Sequence, residues 1–286
     1  MTDVADIIII GSGASGAAAA WSLSQDKSLR ILCFEQGSIS NPSDYPTKSI
    51  DWELSRFDKS SFDPNIRKNI ADYPIDDSES PISIANFNGY GGSTILYSAH
   101  FPRFHPSDFR VKTLDNVAED WPLSYSQLNP YFDENEKMMG VAGLVGDTAY
   151  PEYKSLLPPV PLGDMGKELA KAFNKMNWHW WPSYSAINTD KRKNRANCIN
   201  LGPCNVGCPQ GAKGSVDVTY WPLARLNGVE VYTESRVYEI TLDSKGLADG
   251  VMYIDKNGNE CQCKAKIVIL ACSGIGTPRL LLNSKS

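Results

Sequence analysis

The chain has 286 residues, 42% hydrophobic and 21% charged, which is an ordinary soluble globular composition with room for one large or two ordinary domains. Its net charge of −5 argues against an electrostatic hold on nucleic acid, and no apolar run reaches the roughly 20 residues of a membrane helix. Seven cysteines are too few for a disulfide scaffold at this length and read as reduced thiols.

The opening residues MTDVADIIII lack the basic region and long apolar core of a signal peptide. Residues 6–16 read DIIIIGSGASG. Four consecutive isoleucines suit a parallel strand covered on both faces. The G-x-G-x-x-G that follows predicts a tight turn at Gly11, close approach of a pyrophosphate at Gly13 and tight helix–strand packing at Gly16. Ala17–Ala20 continue as a small-residue helix with its N-terminus toward the phosphates. A second strand, LRILCFE, ends in Glu35, nineteen positions beyond Gly16. A carboxylate there accepts hydrogen bonds from adenosine ribose hydroxyls and repels a 2′-phosphate. The candidate dinucleotide contacts are therefore Gly11, Ser12, Gly13, Ala14, Ser15, Gly16, Glu35 and Gln36. The fingerprint alone does not separate FAD from NAD.

Residues 41–80 are polar with scattered prolines and predict a long irregular excursion lying over the cofactor. Residues 86–109 read NFNGYGGSTILYSAHFPRFHPSDF, where Gly-Tyr-Gly-Gly-Ser-Thr either lays N–H groups and hydroxyls against a ligand or forms a flexible surface loop. Residues 121–195, with WHWWPSY, read as part of a substrate-facing lobe; such aromatics stack on a sugar ring or simply form core. Cys198, Cys204 and Cys208 fall within eleven positions in RANCINLGPCNVGCPQGAKGS. No nearby cysteine or histidine completes the four ligands of zinc or an iron–sulfur cluster, and Cys261 and Cys263 on a later hairpin are read as facing opposite ways, so no metal is expected. A tightly packed loop and a disulfide both stay open. Lys213 lacks the spacing of a phosphate-loop lysine. SVDVTYWPLARLNG predicts a helix ending at Gly228 that Pro222 either kinks or restarts. VEVYTESRVYEI and GVMYIDKNGNECQCKAKIVILAC predict a β-meander around the turn Asn257-Gly258. The chain closes on ACSGIGTPRLLLNSKS: a strand end, a glycine turn, and a helix with Thr277 and Pro278 as N-cap and first residue.

Taken together, GSGASG with FEQG, GYGGST, FPRFHPSDF, WPLSYSQLNPYF, GPCNVGCPQGAKGS and ILACSGIGTPRLLLNS resemble the N-terminal part of the glucose–methanol–choline (GMC) oxidoreductases, most of all the bacterial branch with the gluconate and fructose dehydrogenase flavoproteins. The matching pieces run through almost the whole chain in the family's order. The resemblance implies FAD, an α/β fold with a Rossmann-like FAD-binding domain (central parallel sheet plus β-meander), and part of a second, substrate-facing α+β lobe. The FAD domain is expected over 1–120 and 196–286, with the excursion at 41–80 and the cysteine-rich loop at 196–215, and the lobe over 121–195. Gly11 to Gly16 would hold the pyrophosphate, Glu35 the ribose, Gly91, Gly92, Ser93 and Thr94 the flavin and ribityl chain, and the Val237 backbone the adenine. Tyr97, Ser98, Ala99 and His100 stand where many members carry an Asn-Gly pair beside the isoalloxazine. Choline-oxidising relatives attach the flavin to a histidine where this chain has Leu96, which implies non-covalent FAD.

The implied activity is hydride transfer from a CH–OH group of an alcohol, polyol or sugar to flavin N5. Such oxidation needs a base. The family's catalytic histidine, with its His or Asn partner, lies near the end of a much longer chain, so this one reads as an N-terminal fragment without it. Of the three histidines, His105 reads as loop-fixing, His179 as a packed core imidazole, and His100 as the one candidate near the flavin. In this branch a cysteine cluster such as Cys198, Cys204 and Cys208 implies a nearby electron-transfer subunit or a disulfide. The compartment is cytoplasmic by default, or periplasmic where a partner subunit carries the signal. The competing readings are a non-catalytic dinucleotide-fold binding protein and a NAD-linked disulfide oxidoreductase, the latter at odds with late cysteines spaced C-x5-C-x3-C.

Overall fold

The computed structural model describes residues 4–45, 50–154, 156–190 and 195–284; positions 46–49 of the excursion and the last two residues of the closing stretch lie outside them. In chain order its elements are β1 (Ala5–Ile10), α1 (Ala14–Leu23), β2 (Ile31–Phe34), α2 (Pro64–Arg67), α3 (Val111–Asp115), α4 (Tyr125–Met139), α5 (Gly163–Lys175), α6 (Tyr220–Leu226), β3 (Glu230–Tyr232), β4 (Arg236–Leu242), β5 (Ala248–Ile254), β6 (Glu260–Leu270) and α7 (Ser273–Asn283). They fall into two compact units, one of residues 1–97, 201–209 and 215–286, the other of 98–200 and 210–214. Among the described residues no helix is long and apolar enough to cross a membrane.

The first unit is a Rossmann-like α/β domain built on one six-stranded sheet in the order β3-β2-β1-β6-β5-β4. β3, β2, β1 and the second half of β6 run parallel, and β6, β5 and β4 form an antiparallel meander. β6 joins the two parts: its residues 260–264 pair with β5 and its residues 265–270 pair with β1. A run of isoleucines suits β1 because both its faces are covered, and Ile7, Ile8, Ile9 and Ile10 are all buried. Ile8, Ile10, Leu32, Phe34, Val251 and Leu280 gather into one core cluster. α1 packs against α6, where Trp21 meets Tyr220 edge to face at 5.7 Å, and its Gly16, Ala17 and Ala20 are buried.

Several local expectations change. α6 begins only at Tyr220, which puts Pro222 in its first turn, where a missing N–H costs nothing, so of the two alternatives the helix starts around the proline; Gly228, φ +100°, follows it. β3 is not part of the meander, because it pairs parallel to β2 at the sheet edge. α7 starts at Ser273, with Thr277 and Pro278 inside it, so Pro278 leaves the Gly274 carbonyl without its usual helical donor. Cys261 and Cys263 lie opposite Tyr253 and Val251 on β5, and residues two apart on a strand share a face rather than alternate.

The second unit is organised by Arg103, whose side chain is 2% exposed. Its Nε donates to Glu136 Oε1 at 2.5 Å and its Nη2 to Glu136 Oε2 at 2.7 Å and Asp133 Oδ1 at 2.6 Å. Its Nη1 donates to Asn129 Oδ1 at 2.6 Å, and its guanidinium lies 4.7 Å from the Tyr153 ring centroid. Three of these acceptors share one face of α4 because positions 129, 133 and 136 are spaced by four and three. α4 itself is set by a capping box between Ser124 and Gln127 and stopped by Gly140 at φ +74°. Tyr153 and Tyr184 stack with centroids 4.0 Å apart, so this aromatic pair is core. His179 is not a core imidazole: it is exposed, and its Nε2 meets the buried Asp147 carboxylate at 2.8 Å. Replacing Arg103 with Met leaves the buried Glu136 carboxylate without its cation, while Asp133 keeps Lys154 at 2.6 Å, and urea titration should show a loss of about 3–5 kcal/mol.

Candidate cofactor site

A cleft of roughly 380 Å³ opens at the carboxyl ends of β1 and β6, entirely within the first unit. This is the place where an open α/β sheet reverses its strand order, and there the loops diverge to leave a crevice. The turn from β1 into α1 forms one wall. Gly11 holds φ +102°, and a Cβ there would stand 2.4 Å from the Ala271 carbonyl oxygen. A Cβ on Gly16 would fall 1.9 Å from the Gly11 carbonyl oxygen, so helix and turn close only with glycine at both positions. Across the cleft Gly92, φ +55°, meets the same turn: its Cβ would sit 2.7 Å from Gly13 Cα.

Ser12 and Glu35 join the first two strand ends. Glu35 Oε2 accepts the Ser12 N–H at 2.9 Å and the Ser12 hydroxyl at 2.7 Å, and Oε1 accepts the Gly37 N–H at 2.9 Å. The Gly91 N–H donates to the Ser12 hydroxyl oxygen at 3.2 Å, and the buried Trp221 indole donates to the Ser12 carbonyl at 2.8 Å. Strand ends, loop and α6 therefore meet at a single buried serine. The loop continues along the cleft through Ser93 and Thr94; Thr94 Oγ1 donates to the Gly91 carbonyl at 2.6 Å and accepts the Val216 N–H at 3.2 Å.

The 41–80 excursion supplies a further wall. Arg67 makes a buried, two-pronged contact to Asp72 at 2.6 and 2.9 Å and donates to the Ser61 carbonyl at 2.7 Å and the Asn86 carbonyl at 2.9 Å. Asn88 Nδ2 donates to Asp72 Oδ1 at 2.9 Å. This network holds Tyr73, Asn86, Phe87 and Asn88 on the cleft lining. The last wall is β4 with α7, through Arg236, Val237, Cys272, Ser273, Gly276 and Arg279.

Of the residues singled out from sequence, Gly11, Gly13, Ala14, Ser15, Glu35, Gln36, Gly92, Ser93, Thr94 and Val237 line the cleft. Ser12, Gly16 and Gly91 are buried behind its wall. Tyr97 is half-buried at the end of the first unit's opening segment. Ser98, Ala99 and His100 belong to the second unit, where His100 Nδ1 lies 2.9 Å from the Ser183 hydroxyl. All seven cysteines are free thiols, and among the described residues no group of three or more His, Cys, Asp or Glu gathers to hold a metal. Cys204 and Cys208 lie in the first unit and Cys198 in the second. The one cysteine on the cleft is Cys272, whose thiol burial pushes up in pKa and which donates to the Ile10 carbonyl at 3.3 Å.

Sequence reading missed Tyr73, Asn86, Asn88, Cys272, Ser273 and Arg279. The last three had a signal: ILACSGIG is a buried strand running into small residues and a helix, the same order as β1 into α1, and β6 is the parallel neighbour of β1. Tyr73 had none, since its place depends on the Arg67–Asp72 contact.

Comparison with known proteins agrees with this geometry. A family model described as GMC oxidoreductase matches residues 165–285, and one described as NAD(P)-binding Rossmann-like domain matches residues 9–72. The chain is 39% identical to 2-methyl-1,2-propanediol dehydrogenase of Mycolicibacterium austroafricanum, over 99% of this chain and 51% of that protein. It is 28% identical to the fructose dehydrogenase large subunit of Gluconobacter japonicus, over 68% of this chain and 36% of that protein, and 25% identical to the gluconate 2-dehydrogenase flavoprotein of Pantoea cypripedii, over 98% and 52%. Among solved structures, pyridoxine 4-oxidase from Mesorbium loti aligns with a TM-score of 0.63 at 18% identity, over 98% of this chain and 52% of that one, and shares the fold. The chain belongs to the GMC oxidoreductase family. It spans about half the length of most of these relatives.

Burial pushes the Glu35 carboxyl above the ordinary glutamate range, against the pull of the Gly37 and Ser12 donors. The folded chain then holds this proton more tightly than the unfolded one, so the group's contribution is fullest at acid pH and is lost as pH rises through the raised value. Urea unfolding of the chain and of Glu35→Gln across that range should show the difference move toward the unaltered chain on acidification. A difference that ignores pH would contradict the shift.

Proposed function

We propose that this chain is the FAD-binding part of an oxidoreductase that acts on CH–OH groups of alcohols, polyols or sugars, and that it binds FAD non-covalently. The observation that carries the proposal is the cleft itself, which begins at a strand–glycine–helix turn, ends at a buried glutamate and is narrowed by the glycine-to-glycine approach of residues 13 and 92. The fit to a dinucleotide is one of shape: Gly11 and Gly92 leave no room for a side chain against the Ala271 carbonyl and Gly13 Cα, which keeps the turn closed, while a Cβ on Gly13 would meet only Gly92 Cα at 3.9 Å, so a larger side chain there would enter the cleft.

In this reading the turn from Gly11 to Gly16 holds the diphosphate, with Ala14 and Ser15 offering first-turn N–H groups of α1. Glu35 and Gln36 receive the adenosine ribose, and the Val237 backbone meets the adenine. Gly91, Gly92, Ser93 and Thr94 lie along the ribityl chain and flavin, with Tyr97, Ser98, Ala99 and His100 continuing toward the ring. Ser12 acts indirectly, by fixing the Glu35 carboxylate. Leu96, buried and without a nucleophile, offers no attachment point. When bound, the flavin supplies a hydride acceptor at N5 for oxidation of the CH–OH carbon. The names of the relatives favour small diols and sugars or sugar acids as donors. An electron-transfer subunit approaching the loop that carries Cys198, Cys204 and Cys208 is the proposed acceptor route.

The purified chain mixed with FAD should keep a flavin absorbance spectrum through gel filtration, and Gly13→Val should lose it. A colourless chain that no FAD loads would overturn the cofactor assignment. For the whole protein, bleaching by a diol or sugar and reduction of an artificial dye faster than consumption of oxygen are the expected signs of a dehydrogenase.

A further inference from the structure

We infer that Arg279, held over the Tyr73 ring, is a diphosphate-binding residue of the cleft and provides the cation that the glycine turn lacks. The inference rests on the dinucleotide reading above. Charged residues on the cleft lining are few: Glu35, Arg236 and Arg279. Glu35 is committed to Ser12 and Gly37, and the first turn of α1 carries no basic side chain. A dinucleotide brings negative charge on its diphosphate into this space, and helix N–H groups alone stabilise it only partly.

Arg279 is placed for that task. Its guanidinium carbon lies 3.8 Å from the centroid of the Tyr73 ring. The guanidinium is held by the Tyr73 ring and hydroxyl together, and of its five N–H donors that contact uses only a part, which leaves others to reach a further acceptor. Among the described residues no carboxylate stands within ion-pair distance of Arg279, so its charge is not already neutralised by the protein. The platform under it is fixed: Tyr73 is 7% exposed and follows Asp72, which Arg67 grips from two sides. On the other side the Tyr73 hydroxyl passes over Gly276, one turn before Arg279 on α7, where a Cβ would lie 3.4 Å away. The planar fork of arginine matches phosphate oxygens in a way that a lysine does not. Arg236 is the less prepared of the two cations, because it opens β4 on an exposed position with no ring recorded beneath it.

The test compares ADP, adenosine and FAD as ligands of the unaltered chain and of Arg279→Met, Arg279→Lys and Tyr73→Leu, by calorimetry with ADP and adenosine and by retained absorbance with FAD. Arg279→Met should weaken ADP and FAD by roughly ten- to a hundredfold, the loss of one or two charge-assisted hydrogen bonds, and leave adenosine unchanged. The salt dependence of ADP binding should fall in the same variant. Arg279→Lys should restore only part of the loss, and Tyr73→Leu should weaken ADP more than adenosine. Arg279 is on the surface of α7, so these helices should melt as before; if the methionine variant does not fold, Arg279→Gln carries the same comparison. Equal ADP affinity in Arg279→Met, or an equal loss of adenosine and ADP, would overturn the inference while leaving the dinucleotide site intact. An unaltered chain that binds neither ADP nor FAD would overturn the dinucleotide reading and this inference with it.

Discussion

The cleft depends on one buried contact, between the Glu35 carboxylate and both donors of Ser12. An ionised carboxylate out of water is costly unless hydrogen bonds surround it, and here the Ser12 N–H, the Ser12 hydroxyl and the Gly37 N–H all point at it. The same serine takes a hydrogen bond from Gly91 and, through its carbonyl, one from Trp221. The end of β1, the end of β2, the 89–92 loop and α6 are thereby held in one arrangement. A residue with no polar side chain at position 12 would leave the carboxylate under-satisfied and the loop untied at once.

Around that contact the fold repeats a single device. Two parallel strands lie side by side, β1 and the second half of β6, and each turns at its carboxyl end into a helix through small residues. Gly11 and Ala271 pack backbone to backbone where the turns meet. The crevice beyond them is what an open α/β sheet offers wherever its order reverses. The long excursion converts this open crevice into a walled one, and it does so through Arg67 rather than through regular structure. That second wall distinguishes the cleft from the bare strand–turn–helix, which many dinucleotide folds share.

Legibility in the sequence followed locality. The glycines of GSGASG, the isoleucines of β1 and the glutamate of FEQG were readable because each acts through its own backbone or its immediate neighbours. β3 was misread because strand partners are chosen at a distance: VEVY looks the same whether it joins a meander or pairs parallel with β2. Thr277 and Pro278 look like a helix start, yet α7 begins four residues earlier, at Ser273. His179 was misread for a related reason, because an imidazole among tryptophans reads as core until Asp147, thirty-two positions away, draws it out.

What the sequence determined by itself is the class of fold, the glycine turn with its glutamate, and the membership that the ordered set of motifs carries. The tertiary structure alone decided which residues face the cleft. Ser12 and Gly91 look like ligand contacts in the sequence, and the structure buries both behind the cleft wall, where Ser12 donates to Glu35 and the Gly91 N–H to the Ser12 hydroxyl. Tyr73 and Asn88 have no local pattern and reach the lining only through the Arg67–Asp72 grip, and Arg279, on a helix the sequence does signal, reaches it through the packing of α7 beside β4. The reason is physical: a turn or a strand end is fixed by sterics within a few residues, whereas a cleft wall is fixed by pairings between segments that the chain sets far apart.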